Sequence, residues 1–231
     1  MEYRDFLKLA KDNKLPNELK MGFKENQRTP YIHFIVNDIY KKLKKKIKSK
    51  DLAFLDIGCG DGKITKLLID KFKIKNYFVN DNFFFLNQIK WCNQNKKISG
   101  NFLKISKKIR KKFDLLLCYS VIHYIKKKNI KTFLSSLIKL LNKNGILFLG
   151  DIPDKKLILK FLKSKKGILY HKKYYNHKLD IDLVLKNKNI IEHQEIIDFL
   201  YKNKRIKFRF FAQDKKLHYT KFRKDLIILK K

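Results

Sequence analysis

The stretch LDIGCGDGKIT, residues 55–65, lies where an apolar run gives way to a helical one. Before the turn, LAFLDIG (52–58) reads as a strand. After it, Ile64, Leu67, Leu68 and Phe72 fall on one face of a helix. Glycines at 58, 60 and 62 let the strand-to-helix turn run tight and bring backbone close to a ligand, and the helix start beyond offers free N–H groups. The spacing is selective. A dinucleotide fingerprint, GxGxxG, needs glycine at 63, where the chain has Lys63. A Walker loop needs Ser or Thr after Gly-Lys, and Ile64 carries no hydroxyl. What remains is an acid, Asp56, two residues ahead of a GxGxG turn.

Outward from that turn the chain alternates short apolar runs with helical periodicity, the pattern of a βα-repeating parallel sheet. NYFVN (76–80) predicts a second strand, followed by a helix through Phe85, Leu86 and Ile89. A short third strand falls at 97–99, ahead of Gly100-Asn101. FDLLLCY (113–119) is a fourth strand, apolar enough to be buried on both faces. A helix over 132–141 is closed by Asn142, Asn144 and Gly145 as a C-terminal stop. GILFLGDIP (145–153) makes a fifth strand, 192–202 a helix, and IKFRFFAQ (206–213) and RKDLIILKK (223–231) two closing strands. Residues 154–190 read as an irregular, polar and aromatic insertion, and 1–50 as a helical extension, with a helix over 31–48 packing over one end of the sheet. The expected division is thus 1–50 as a cap and 51–231 as the ligand-binding domain.

The (E/D)xGxGxG arrangement of Asp56, Gly58, Gly60 and Gly62 resembles the first motif of class I S-adenosylmethionine-dependent methyltransferases. That resemblance covers 51–231 at the level of fold. It implies an α/β, Rossmann-like class I methyltransferase fold. The sheet would be mainly parallel and seven-stranded, ordered 3-2-1-4-5-7-6, with an antiparallel last strand and helices on both faces. The cofactor implied is S-adenosylmethionine, its methionine part cradled by the glycine turn through Gly58, Cys59, Gly60 and Gly62. Asp81, or Asn80 beside it, stands about where the family places an acid on the ribose diol, which a carboxylate suits because it accepts two hydroxyl donors. The family often has Gly-Asp after the third strand, whereas this chain has Gly100-Asn101. The Asn101 amide oxygen would meet the adenine amino group, and Phe102 would pack on the ring or in the core. FDLLLCYSVIHYI (113–125) resembles the family's fourth strand and loop, which places Tyr119 and Ser120 beside the reactive end.

Methyl transfer from a sulfonium is an in-line displacement, so proximity and orientation dominate. A general base adds roughly 10²–10⁴-fold where the acceptor is a hydroxyl. His123, just past the fourth strand, is the first candidate for that base, with a loop-packing role as the alternative. Asp151 is the second, as base, orienting group or turn acid. His171, His177, Tyr170, Tyr174, Tyr175, Lys172 and Lys173 lie in the insertion expected to cover an acceptor pocket, the two lysines suiting phosphate or carboxylate. The proline-rich turn that nucleic-acid amino methyltransferases carry after the fourth strand is missing from Cys118-Tyr119-Ser120-Val121. A looser resemblance, through GDIP and Arg223-Lys224-Asp225, is to bacterial methyltransferases of surface-polysaccharide clusters, including those that decorate capsule with O-methyl phosphoramidate. It implies a small, anionic sugar- or phosphate-containing acceptor.

Composition sets the bounds. A net charge of +36 on 231 residues points toward polyanions. Only six of the 57 basic residues are Arg, however, the fork suited to phosphates and bases. Lys, Ile, Asn and Phe, all with AT-rich codons, abound, so base composition accounts for the charge without a nucleic-acid partner. RNA methylation is the alternative reading, and a non-catalytic cofactor-binding subunit the third. Cys59, Cys92 and Cys118 form no CxxC pair, against a disulfide framework or a metal site and in keeping with a reducing cytoplasm. The longest apolar run, 115–125, is too short to span a bilayer, and the charged N-terminus is no signal peptide.

Overall fold

Alternate residues along the central strands point to opposite sides, and both sides are apolar. The computed structural model describes residues 3–12, 14–16, 20–21, 29–47, 49, 51–169, 193–217 and 220–231. The strands are β1 (Ala53–Ile57), β2 (Asn76–Asp81), β3 (Lys97–Ser99), β4 (Phe113–Tyr119), β5 (Leu141–Pro153), β6 (Ile206–Ala212) and β7 (Arg223–Lys230). They form one seven-stranded sheet in the order β3-β2-β1-β4-β5-β7-β6. β7 runs antiparallel to both its neighbours, β5 and β6, while β1 to β5 pair in parallel. This is the Rossmann-like topology expected from the resemblance.

Leu55, Leu116, Cys118, Leu147, Leu149, Leu226 and Ile228 face one core, under the helices Ile130–Leu140 and His193–Tyr201. Phe54, Leu115, Leu117, Ile146, Phe148 and Ile227 face the other, under the helices Ile32–Leu43 and Lys63–Phe72. Burying one such side chain is worth about 1.5–3 kcal/mol, so this double-sided stripe holds the sheet. With both faces covered, polar groups collect at the C-terminal strand ends, where open α/β sheets bind ligands.

Three expectations change. The N-terminal helix covers a sheet face rather than a sheet end, because Ile32, Ile35, Val36, Ile39 and Leu43 form one apolar stripe against Phe54, Leu68 and Phe148. Asn142, Asn144 and Gly145 do not sit in a loop after a helix. The helix ends at Leu140, and β5 pairs at once through Leu141↔Phe113. The extra residues before Leu115↔Ile146 form an irregularity, with Asn144 at φ 62° and the Asn142 amide donating to Asp114 Oδ1 at 2.6 Å. Within the insertion, Lys155–Leu162 is a helix whose N-cap, Asp154, accepts from Leu157 N at 3.1 Å. Its Lys residues mask the apolar spacing of Leu157, Phe161 and Leu162. Residues 170–190, with the His, Tyr and Lys candidates named above, lie outside the described residues. No helix among the described residues is long and apolar enough to cross a membrane.

The N-terminal helix is also locked electrostatically. Lys42 Nζ lies 2.6 Å from Asp38 Oδ2 and 2.7 Å from Asp225 Oδ2, and Asp225 is fully buried in β7. Burial raises the Asp225 carboxyl above the ordinary carboxylate range, while Lys42 and hydrogen bonds from Asp151 and Gln213 pull it back. Removing one partner of a buried pair strands the other's charge, at a cost of about 3–5 kcal/mol. Lys42→Ala is therefore expected to lower the unfolding free energy by about 3 kcal/mol or more in denaturant titration. A change below 1 kcal/mol would mean that water replaces the amine.

Candidate active site

Three glycines in five residues take left-handed φ: Gly58 at 72°, Gly60 at 57° and Gly62 at 72°. The turn they make is pinned to the end of β2. Asn80 O accepts from Gly58 N at 2.8 Å and from Cys59 N at 3.1 Å, and Asp81 Oδ2 accepts from Gly60 N at 2.8 Å. Gly62 is the N-cap of the helix Lys63–Phe72. Beneath the turn Asp56 is buried and accepts from Thr65 Oγ1 at 2.5 Å, tying the end of β1 to the first turn of that helix.

Above this turn opens a cavity of about 240 Å³. Gly58, Gly60, Asn80 and Asp81 line it, together with Asn101 and Phe102 after β3 and Tyr119 and Ser120 at the end of β4. These eight predicted residues are thus brought together. Asp56, Cys59 and Gly62 are not on the wall, and their part is to shape the turn.

Asn80 and Asp81 play different parts. The Asn80 amide donates to Ile98 O at 2.7 Å and Gly100 O at 3.1 Å, binding β3 to β2. Asp81, whose other oxygen accepts from Asn82 N at 2.6 Å, is the carboxylate on the wall. The Asn101 oxygen accepts from Leu103 N at 3.0 Å as an N-cap, which uses one of its two lone pairs. Phe102 is buried and meets Phe133 edge-on, so its ring belongs both to the core and to the wall.

His123 is not among the wall residues. It lies in a 3₁₀ turn, Ile122–Tyr124, in which Ile122 enters the core and Tyr124 reaches the cavity, with the His123 ring tilted against Tyr124 at 4.0 Å between centroids. Asp151 also stands behind the wall. It is buried, and its carboxylate accepts from Ser120 Oγ, from Arg223 Nη1 and, at 3.3 Å, from Gln213 Nε2. Three side-chain donors thus converge on this one carboxylate. Burial, and then Asp151 and Asp225, push the Tyr119 hydroxyl well above its ordinary value, so it stays protonated on the wall. Burial likewise raises the Cys59 and Cys118 thiols.

Sequence reasoning missed Met21, Phe85, Tyr124 and Lys126 on the wall, and the layer of Lys42, Gln213, Arg223 and Asp225 behind it. An acid heading the apolar run of β7 was the one visible sign of that layer.

Residues 55–147 match the methyltransferase-domain family model. That segment, 93 of the 231 residues, is similar to methyltransferase domains. Solved structures share its fold at low identity. The plantazolicin methyltransferase BamL, in complex with a triazolic desmethylPZN analog and SAH, aligns with a TM-score of 0.62 and 16% identity over 99% of this chain and 96% of that one. Magnesium protoporphyrin IX methyltransferase ChlM from Synechocystis PCC 6803, with SAH bound, gives 0.61 and 13% over 99% and 94%. The N-methyltransferase NodS from Bradyrhizobium japonicum WM9, with S-adenosylhomocysteine, gives 0.60 and 13% over 99% and 97%. No curated protein sequence matches the chain significantly. The matched segment thus runs from Leu55 within β1 through the glycine turn and β2 to β4, and ends at Leu147 within β5.

A Cβ placed on Gly58 would lie 2.4 Å from Val121 Cγ2, in a backbone conformation that L residues rarely adopt. Gly58→Ala is expected to cost about 1–3 kcal/mol and to disturb the turn. Adding Val121→Ala removes the clash but not the φ penalty, so it should restore part of the stability. No recovery in the double variant would place the whole cost in the backbone.

Proposed function

We propose that the chain is an S-adenosylmethionine-dependent methyltransferase that O-methylates a small anionic metabolite, one containing sugar or phosphate. The observation that carries this reading is the convergence of the glycine turn and the Asp81 carboxylate on one cavity at the C-terminal edge of the sheet. The residues fit the cofactor. A Cβ on Gly58 would lie 2.4 Å from Val121 Cγ2, and both residues line the cavity, so the bare glycine backbone leaves that edge open to a ligand. The Asp81 carboxylate, held by Gly60 N and Asn82 N, lines the cavity, and a carboxylate suits a ribose diol because it can accept two hydroxyl donors. Asn101 and Phe102 offer an amide and an aromatic edge for adenine, and Tyr119 and Ser120 border the reactive end.

When bound, the cofactor supplies an electrophilic methyl group on a sulfonium. The chain's own work is then to hold the acceptor in line. Lys126 on the wall suits a phosphate or carboxylate, and Tyr124, Met21 and Phe85 add apolar surface to the same cavity. The structural neighbours act on other acceptors by their names, so the choice of acceptor rests on this wall.

RNA methylation has the +36 charge in its favour. The two readings part on salt, because phosphate-backbone binding weakens steeply with ionic strength. Radiolabelled methyl transfer from S-adenosylmethionine into a lysate of the source cells, fractionated into RNA, protein and small polar pools, tests both. Label in the small polar pool, insensitive to added salt, is expected. Label in RNA transfers the function to the second reading, and no label in any pool overturns both.

Asp81→Ala is expected to weaken S-adenosylmethionine binding on the order of tenfold to a hundredfold in calorimetry, through lost hydrogen bonds to a charged group. Unchanged affinity would remove Asp81 from the cofactor site.

A further inference from the structure

At the C-terminal ends of β4 and β5, two neighbouring non-glycine residues take left-handed backbone conformations, Ser120 at φ 60° and Asp151 at φ 62°. The other non-glycine cases among the described residues are a helix C-cap, Lys73, and the β5 irregularity, Asn144. Those are ordinary places for such backbone. Asp151 also lies at a register shift, between Leu149 and Ile152 where β5 pairs with β7, whereas Ser120 stands just past the end of β4, at neither a helix cap nor a bulge. Strained backbone persists only where surroundings over-determine it, and it gathers at functional sites.

Here the surroundings are visible. Ser120 N donates to Gly150 O at 3.2 Å, and Asp151 N donates to Asp225 Oδ1 at 2.8 Å. The Gln213 amide bridges the two acids, 3.3 Å from Asp151 Oδ1 and 3.0 Å from Asp225 Oδ1. Arg223 closes on Asp151, and Lys42 on Asp225. Of this layer, Ser120 is the member on the cavity wall. Its hydroxyl has one proton and two lone pairs, and the proton is committed to Asp151 behind the wall. Its oxygen therefore meets the cavity as an acceptor.

We infer that Ser120 Oγ receives the X–H of the methyl acceptor, with Asp151, Arg223 and Gln213 as positioning residues that hold its lone pairs toward the cavity. This rests on the methyltransferase reading above and narrows its substrate class. The methylated atom carries a hydrogen, as a hydroxyl or an amine does, whereas a carboxylate, a thioether or a tertiary amine offers Ser120 nothing to accept. Accepting that hydrogen turns the acceptor's remaining lone pair into line for displacement. Asp151 already serves three donors, so the proton released on methylation passes to water rather than to Asp151.

The test compares wild-type, Ser120→Gly and Arg223→Met. Each is measured for thermal stability, for S-adenosylhomocysteine affinity by calorimetry, and for the initial rate of label transfer at saturating S-adenosylmethionine into the small-molecule fraction of deproteinised source-cell lysate. Glycine relieves the left-handed backbone while removing the hydroxyl. Ser120→Gly is therefore expected to melt no lower than wild-type and to bind S-adenosylhomocysteine within about threefold, yet to lose rate on the order of 10²-fold, the cost of misplacing a reactant. Arg223→Met is expected to lose rate about tenfold per folded molecule with cofactor affinity retained. A wild-type rate in Ser120→Gly overturns the inference. So does a rate loss matched by an equal loss of S-adenosylhomocysteine affinity, which would make Ser120 a cofactor contact. Failure of the methyltransferase reading shows elsewhere, in the wild-type chain transferring no label.

Discussion

The turn from Ile57 to Lys63 must leave a buried strand and enter a helix within a few residues, and it does so with three glycines in left-handed conformations. That geometry puts Gly58 N and Cys59 N on Asn80 O and Gly60 N on Asp81. Because β1 and β2 are already in register through Ile57↔Asn80, the turn fixes where the Asp81 carboxylate stands. Asn80 passes the constraint outward, its amide holding Ile98 O and Gly100 O. One wall of the cavity is thus a consequence of one backbone path. Asp56 serves that path from below through Thr65, which explains why an acid belongs there without touching the cavity.

The part of the wall at the end of β4 depends on buried charge. Asp38, Lys42, Asp225, Gln213, Asp151 and Arg223 form a connected layer that joins the N-terminal helix to β7, β5 and the cavity residue Ser120. Such a layer is costly to bury and is a weak source of net stability. What it contributes is a unique arrangement. Donors and acceptors match in one way, and the left-handed backbone at Asp151 follows from the hydrogen bond its N–H makes to Asp225. Residues 1–50 read as a cap in the sequence, yet Lys42 makes part of them a support for the cavity wall.

The fold was legible because its signals are local and repeated. Period-two burial on both sheet faces, glycines at one turn, and apolar runs at βα spacing are all carried by residue type. β3 at 97–99 and β4 at 113–119 fall where the sequence put them. Much of the cavity was legible for the same reason, since strand ends place Gly58, Asp81, Asn101 and Tyr119 together once the strand order is known. The rest depends on direction or on partners far along the chain. His123 and Tyr124 are adjacent, and only the 3₁₀ turn decides that Tyr124 reaches the cavity. Lys42 is one lysine in KKLKKKIKSK, and nothing in that run marks it as the partner of Asp225, 183 residues away. Asn142-Lys143-Asn144-Gly145 is chemically a helix stop, but the pairing of Leu141 with Phe113 overrides that preference.

The net charge of +36 takes on a different meaning once the burial is known. The acids that shape the cavity, Asp56, Asp81, Asp151 and Asp225, are committed to hydrogen bonds inside the molecule, and of their cationic partners only Arg223 and Lys42 are drawn inward. Most of the described lysines are exposed. At physiological ionic strength their field decays over about 8 Å. It thus acts on how fast an anion arrives more than on how tightly it is held. Holding a small anion would fall to groups on the wall, where Lys126 brings a cation and Asp81 an acid. A small anion would be drawn by the surface and sorted by the wall. A long polyanion would be held by the surface itself, and that difference is what makes the charge compatible with a small-molecule enzyme.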